Sequence, residues 1–147
     1  MDVLQRFGTY AADFEKTFQD DDWTRLEQYF EEDAVYTVEG APFACEVRGR
    51  DAILRAIKKS LDGFDRRMDK REIGPGAAPE VAGRRITVSG SVRYEKEGLE
   101  PISIRLSETA EFDEAGRIVR LHDVYPEGQE AALSWIERHK EFDPSYV

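Results

Sequence analysis

Two acidic side chains, Glu108 and Asp123, interrupt apolar positions in the last third of the chain. Around them apolar and polar residues alternate with a period of two, as in half-buried strands. If Asp113–Gly116 forms a four-residue hairpin loop, the two carboxyl groups are diagonal neighbours on one face of the sheet, with backbones roughly 7–8 Å apart. The same register predicts that the inward side of the last strand carries Val119, Leu121, Asp123 and Tyr125.

A carboxyl group buried beside another has one of the two pKa values raised, which suits a general acid or base near neutral pH. We therefore interpret Asp123 as a candidate base and Glu108 as a candidate proton donor to a developing oxyanion. One alternative is a structural polar pair whose hydrogen bonds are satisfied by Tyr94, Tyr125 or a buried water. Another is a slip of the strand register that leaves both carboxyl groups exposed. The sequence leaves these interpretations open.

Aromatic and aliphatic residues that could line a cavity are spread along the chain. Aromatic walls suit a flat, apolar ligand, although such residues more often belong to the core. We predict a small apolar or aromatic molecule as the ligand. The candidate lining residues are Tyr10, Phe14, Tyr29, Tyr36, Phe43, Val88, Tyr94, Leu106, Leu121 and Tyr125.

Other reactive groups are few. Cys45 is the only cysteine, so an intrachain disulfide and a cysteine-based zinc cluster are impossible. A nucleophilic role for Cys45 would need a histidine base, and neither His122 nor His139 is an obvious partner. The sequence contains no phosphate-binding glycine loop and no nucleotide fingerprint. We therefore expect no metal and no cofactor.

The first half of the chain predicts three helices. Apolar residues recur at helical spacing over residues 3–18, 23–30 and 53–64. The acidic run Asp20–Asp22 is the predicted N-cap of the second helix. It is a poorer candidate for a metal site, since the side chains of adjacent residues diverge. A short β-branched segment, residues 34–38, predicts a strand before the third helix.

From Arg84 onward the pattern has the period of strands, and it continues to Tyr125 before a closing helix predicted over residues 127–141. Turns at residues 96–100 and 113–116 divide it into an antiparallel meander. A strand near residues 68–73 and a Gly- and Pro-rich loop over residues 74–79 precede it. Helices followed by a meander are typical of α+β proteins. We predict a single domain over residues 1–147, with three helices packed into the concave face of a curved antiparallel sheet.

The charge balance limits the partners. The chain has 21 basic and 31 acidic residues and a formal net charge of −10, so its field repels polyphosphates and anionic lipids. We expect no nucleic-acid or membrane partner, and a cytoplasmic location because no leader or long apolar run is present. The basic cluster Arg66, Arg67, Lys70 and Arg71 is predicted to be a solvated face; binding of an acidic ligand is the alternative.

The order of these elements resembles the nuclear transport factor 2-like superfamily, and in detail its SnoaL-like and ketosteroid-isomerase-like branch. Three segments carry the resemblance: DDDWTRLEQYFEEDAVY over residues 20–36, VRGRDAI over residues 47–53, and FDEAGRIVRLHDVY over residues 112–125. The resemblance implies a cystatin-like cone that is usually a homodimer. Members include steroid isomerases, polyketide cyclases, dehydratases, epoxide hydrolases and non-catalytic binders.

Carried over by position, the base of the isomerases falls near Val38 and their oxyanion-hole tyrosine near Phe14, so both groups are missing. Their second oxyanion-hole carboxyl falls at Glu108, and the acid/base aspartate of the polyketide cyclases is similar to Asp123. The resemblance thus implies a cofactor-free isomerase, cyclase or dehydratase-type enzyme acting on a small carbonyl or polyketide-like compound. The alternative is a non-catalytic ligand-binding or dimeric assembly module of the same fold.

Overall fold

The helices lie mainly in the first half of the chain. A computed structural model describes all 147 residues. The α-helices are α1 (Val3–Asp20), α2 (Arg50–Gly63) and α3 (Glu130–Arg138), and two short 3₁₀ helices span Trp23–Tyr29 and Asp65–Arg67. Each α-helix is amphipathic and buries its apolar stripe. No helix combines the length and the hydropathy that crossing a bilayer requires.

Seven strands form one curved sheet in the order β2-β1-β7-β6-β5-β3, and the short β4 also pairs with β5. All pairs are antiparallel except β1 with β7, which is parallel. The α+β cone is therefore confirmed, with a mixed sheet in place of an antiparallel one. The strands are β1 (Phe30–Glu39), β2 (Cys45–Arg48), β3 (Lys70–Gly74), β4 (Glu80–Ala82), β5 (Arg85–Glu95), β6 (Ile102–Phe112) and β7 (Ile118–Val124).

The second predicted helix is a 3₁₀ helix of seven residues. It is confined between Asp21, whose left-handed backbone ends α1, and the start of β1, and such short connections favour 3₁₀ geometry. Asp22 caps it by accepting a hydrogen bond from the Thr24 backbone N–H. Asp20 forms an ion pair with Arg25. The capping interpretation of the acidic run is confirmed.

Sequence analysis did not predict two of the strands. β2 and β4 have four and three residues, and neither contains a fully buried side chain. They therefore lack the alternation of apolar and polar residues that predicts longer strands. Both lie at the borders of the sheet, where they pair with the ends of β1 and β5.

The register between β6 and β7 corrects the prediction. Glu108 pairs directly with Asp123, not diagonally. Two one-residue shifts cause the difference: the hairpin closes with the Asp113 N–H bonded to the Arg117 carbonyl, so that Phe112 pairs with Ile118, and an irregularity next to Phe112 adds a residue to β7. An extra residue in one strand shifts every later pair by one residue, so the side chains of that strand beyond it face the opposite side of the sheet. Val119, predicted to face inward, is therefore 38% exposed, whereas Ile118 is fully buried.

The main core lies between α1, α2 and the inner face of the sheet, and a smaller apolar cluster joins α3 to β6. Trp135 anchors α3 in this cluster and donates a hydrogen bond to the Glu100 carbonyl at 2.8 Å. Phe142 packs against Trp135 with ring centroids 5.5 Å apart. The chain therefore returns to the body of the protein after α3.

The last residues of the chain are fixed on α2. The Asp143 backbone N–H donates to the Gly63 carbonyl at 2.9 Å, and the Ser60 hydroxyl donates to the Pro144 carbonyl at 2.6 Å. A Cβ atom at Gly63 would lie 2.1 Å from the Asp143 carbonyl oxygen. Glycine is required at this position because two backbones meet there. The segment Phe142–Val147 is called the C-terminal strap below.

We predict that Gly63→Ala lowers the free energy of unfolding by about 1–3 kcal/mol, since the added methyl group pushes the C-terminal strap off α2. Urea unfolding at fixed pH measures the change. The matched control is Gly8→Ala on α1, where a Cβ meets nothing within 4 Å. The control should raise stability by roughly 0.5–1 kcal/mol through helix propensity. Equal stabilisation by both substitutions would contradict the proposed close contact.

Candidate functional site

A cavity of about 410 Å³ lies between α1, α2, the inner face of the sheet and the C-terminal strap. Its volume lies within the range of small-molecule sites, and most of its wall is apolar. Glu108 and Asp123 both line it. The predicted lining residues that the structure places on this wall are Tyr10, Phe14, Tyr36, Phe43, Val88, Tyr94, Leu106 and Tyr125.

Two predicted lining residues do not reach the cavity. Tyr29 is buried, but its hydroxyl is directed to the Asp13 carboxylate and its ring lies under the Arg6 guanidinium. Leu121 is buried in the main core next to Ala110, its neighbour on β6. Both belong to the packing that supports the cavity rather than to its wall.

Asp123 is the centre of the buried polar group. Its side chain is 4% exposed, and its Oδ2 accepts a hydrogen bond from the Tyr36 hydroxyl at 2.5 Å. Its Oδ1 is buried and has no hydrogen-bond partner. Tyr36 lies on β1 and Asp123 on β7, and their neighbouring registers bring both side chains to the inner face. The carboxylate is therefore oriented through one oxygen and unpaired at the other.

Glu108 faces Asp123 across the β6–β7 ladder. Burial raises the pKa of Glu108 well above its ordinary value, and the charge of Asp123 raises it further. Burial also raises the pKa of Asp123, to about 6, although hydrogen bonds with Tyr36 and with Glu108 lower it. Because the two carboxyl groups are coupled, the pair loses its protons in two separate steps. Paired carboxyl groups with separated pKa values are suited to acid/base chemistry.

Tyrosine hydroxyls surround this pair. The C-terminal strap contributes Tyr146, whose hydroxyl lies 2.5 Å from the hydroxyl of Tyr125. The ring of Tyr146 packs edge-on against Tyr36 at 5.5 Å between centroids. Burial raises the pKa of all three phenols, so they stay protonated at neutral pH. Sequence analysis missed Tyr146, because it lies in an irregular segment whose only signal is one aromatic residue.

A second polar cluster lines the cavity at β3. Arg71 Nε donates to Asp65 Oδ2 and Nη1 donates to Glu15 Oε1, each at 2.8 Å. The Tyr94 hydroxyl donates to the same Asp65 oxygen at 3.0 Å. The expectation of a solvated face was wrong for Arg71, whose side chain is only 14% exposed. The curved sheet turns this edge strand over the cavity, which the basic composition of the segment does not indicate.

The other candidate groups lie outside the site. Cys45 does not line the cavity, and burial raises the pKa of its thiol, which disfavours a thiolate. The side chain of His122 contacts Thr37 Oγ1 through Nδ1 and lies on the opposite side of β7 from Asp123. No group of three or more His, Cys, Asp or Glu side chains is arranged to hold a metal ion.

This architecture, a cone of helices and curved sheet around a ligand-sized cavity, is the nuclear transport factor 2-like fold. A family model described as SnoaL-like domain matches residues 11–121. The chain therefore belongs to the SnoaL-like family. None of the curated proteins compared with it matches.

Solved structures share the fold at low sequence identity. A nuclear transport factor 2-like protein from Anabaena variabilis is 10% identical, with a TM-score of 0.68 over 86% of this chain and 91% of that one. TerC, crystallised with polyporic acid, is 13% identical, with a TM-score of 0.65 over 93% and 99%. A proposed SnoaL-like polyketide cyclase from Shewanella putrefaciens is 12% identical, with a TM-score of 0.63 over 88% and 83%. At these identities the likeness establishes the fold alone.

We predict that Tyr36→Phe raises the pKa of Asp123 above its value of about 6, because the hydrogen bond that stabilises the carboxylate is lost. Carbon-detected NMR titration of the side-chain carboxyl resonance measures the pKa. Tyr125→Phe is the matched control, since that hydroxyl bonds to Tyr146 and not to Asp123. Equal changes in both variants would argue against a specific Tyr36–Asp123 bond.

We predict that Asp123→Asn stabilises the protein at pH 8 by up to about 3 kcal/mol. The folded pKa of about 6 exceeds the ordinary 3.8, so the folded state loses stability as pH rises from about 3.8 to 6. The asparagine carries no charge, and its advantage should nearly vanish at pH 4. Urea unfolding at both pH values tests this, with Glu114→Gln, 90% exposed, as the neutral control. A variant less stable than wild type at pH 8 would contradict the buried-charge argument.

Proposed function

We propose that the chain is a cofactor-free acid/base enzyme that moves a proton on a small, largely apolar carbonyl compound held in the cavity. One observation carries the proposal: Glu108 and Asp123 face each other directly across the β6–β7 ladder on the cavity wall, and the pKa of each is raised. The fold itself does not decide the function, because cones of this kind serve many purposes.

Asp123 is the proposed general base. Its pKa of about 6 leaves it ionised at neutral pH while keeping it a stronger base than an ordinary carboxylate. Oδ1 is the free oxygen and takes the proton, while Tyr36 holds Oδ2 in place. The position on a central strand fixes the carboxylate, as catalytic geometry demands.

Glu108 is the proposed acid partner. In its protonated form it donates a hydrogen bond to the carbonyl oxygen of the substrate. When Asp123 removes a proton from the carbon next to the carbonyl, the electron pair of the C–H bond moves to that oxygen as an enolate. The hydrogen bond from Glu108 stabilises this charge. In a β,γ-unsaturated carbonyl compound, return of the proton from Asp123 to the γ carbon completes an isomerisation. In a compound with a second carbonyl, attack by the enolate carbon closes a ring, and the alkoxide that forms takes the proton from Asp123.

The shape of the site supports a flat substrate. The wall is mainly aromatic and aliphatic, and Tyr36, Phe43 and Tyr125 stand close to the carboxyl pair. Polyporic acid, the ligand crystallised with TerC, is an oxygenated compound that makes a suitable binding probe. A proposed polyketide cyclase among the structural neighbours agrees with chemistry on carbonyl compounds.

The experiment is deuterium exchange at the carbon next to the carbonyl of 2-tetralone in D₂O, followed by proton NMR. We expect wild type to accelerate exchange over buffer, and Asp123→Asn to reduce this acceleration about 10²–10⁴-fold. Glu111→Gln, on the same strand, is the matched control and should leave the rate unchanged. Binding of 2-tetralone or polyporic acid without accelerated exchange would instead favour the non-catalytic module.

The pH dependence of kcat/KM should follow the two carboxyl groups. We expect activity to rise as pH passes about 6, where Asp123 loses its proton, and to fall at higher pH as Glu108 loses its own. Glu108→Gln should remove the upper fall, because an amide donates a hydrogen bond without titrating. An unchanged upper limb in this variant would exclude Glu108 as the titrating acid.

We also propose a homodimer, as the family resemblance implies, and a cytoplasmic location. Sedimentation equilibrium over a range of protein concentrations tests the dimer, because the apparent mass should double. An apparent mass equal to that of one chain at every concentration would refute the dimer. Cell fractionation tests the location.

A further inference from the structure

The cavity has polar groups at two separate places along β5. Val88 on this strand pairs with Glu108, and Tyr94 pairs with Arg71. The two pairs are six positions apart, which corresponds to roughly 20 Å of extended strand. The carboxyl pair and the cluster around Arg71 therefore lie towards different ends of one apolar space.

Arg71 is held in a fixed orientation. Its Nε and Nη1 are bonded to Asp65 and Glu15, and its guanidinium lies over the ring of Phe18 at 4.5 Å. Its Nη2 makes no hydrogen bond with the protein, although the residue lines the cavity. A largely buried guanidinium thus offers two N–H donors that the fold does not use.

The charges around Arg71 determine which ligand groups can bind at Nη2. One guanidinium stands between the two carboxyl groups of Asp65 and Glu15, so the cluster carries no excess positive charge. A ligand carboxylate would meet two anions beside one cation. A neutral carbonyl or hydroxyl oxygen accepts the same N–H bonds without that repulsion.

An apolar rim lies next to Arg71. Ile73, two residues further along β3 and on the same side, lines the cavity and is 62% exposed. Ile73 therefore adds apolar surface to the cavity wall beside Arg71. The oxygen-bearing end of an apolar molecule on this surface would lie beside Arg71.

We propose that Arg71 is a second ligand-binding group whose Nη2 holds a neutral carbonyl or hydroxyl oxygen at the far end of the ligand. The ligand class is therefore an elongated apolar compound with an oxygen at each end, one for the Glu108–Asp123 pair and one for Arg71. This inference depends on the proposed function only in assuming that the cavity binds a ligand. It does not depend on the proposed reaction.

The test compares 4-hydroxybiphenyl, 4,4′-dihydroxybiphenyl and 4′-hydroxybiphenyl-4-carboxylate by isothermal titration calorimetry. We expect the second hydroxyl to tighten binding to wild type roughly tenfold, the size of one hydrogen bond to a charged group. The carboxylate should bind more weakly than the diol. Arg71→Lys keeps the positive charge but loses the fork of N–H donors, so it should lose the gain from the second hydroxyl.

Arg66→Lys is the matched control. Arg66 stacks on the same Phe18 ring at 5.2 Å and pairs with Asp21 and Asp62, but it does not line the cavity. This variant should keep the tenfold gain. If Arg71→Lys does not fold, a crystal structure of wild type with the diol decides, since a hydroxyl oxygen must lie within hydrogen-bond distance of Nη2.

Three results would overturn the inference: a gain that survives in Arg71→Lys, tighter binding of the carboxylate than of the diol, or no binding of any biphenyl. None of these results contradicts the acid/base proposal, which the exchange assay tests separately. Conversely, Asp123→Asn should reduce exchange and leave the Arg71-dependent gain in place. The two proposals therefore fail independently.

Discussion

The direct opposition of Glu108 and Asp123 is the constraint on which the site depends. Two carboxyl groups that face each other in an apolar wall cannot both be charged at little cost, so burial raises the pKa of each. Tyr36 offsets the burial of Asp123 in part through its hydrogen bond to Oδ2. Strongly shifted pKa values in a cavity mark a candidate functional site.

The opposition in turn depends on backbone detail. The closure of the hairpin at Asp113 and Arg117 and the irregularity beside Phe112 together shift the β6–β7 ladder and make Glu108 and Asp123 a direct pair. The parallel pairing of β1 with β7 then brings Tyr36 to the inner face next to Asp123. Tyr146 packs on Tyr36, and the strap that carries Tyr146 is fixed on α2 through Gly63. The position of the base is thus coupled to the far end of the chain.

Sequence analysis succeeded where the burial of one face produces a regular pattern of apolar residues. The stripe beginning at Val3 predicts α1, and the alternation around Val92 predicts β5, since both follow from one buried face. It placed Glu108 and Asp123 on one face but with the wrong register, because one extra residue leaves no mark in composition. It could not place Arg71 in the cavity, since the path of an edge strand depends on sheet curvature, which is a property of the whole assembly.

The cavity combines apolar walls with unpaired polar atoms on rigid elements. Asp123 Oδ1 and Arg71 Nη2 have no protein partner, and both residues belong to strands whose ladders hold them in place. A molecule that fills the space without oxygen atoms or acidic C–H groups at these points leaves these polar atoms without a ligand partner, and an unmatched polar group discriminates more strongly than a missing methylene does. If both proposals hold, selectivity comes from two separated polar contacts, while the aromatic wall supplies affinity.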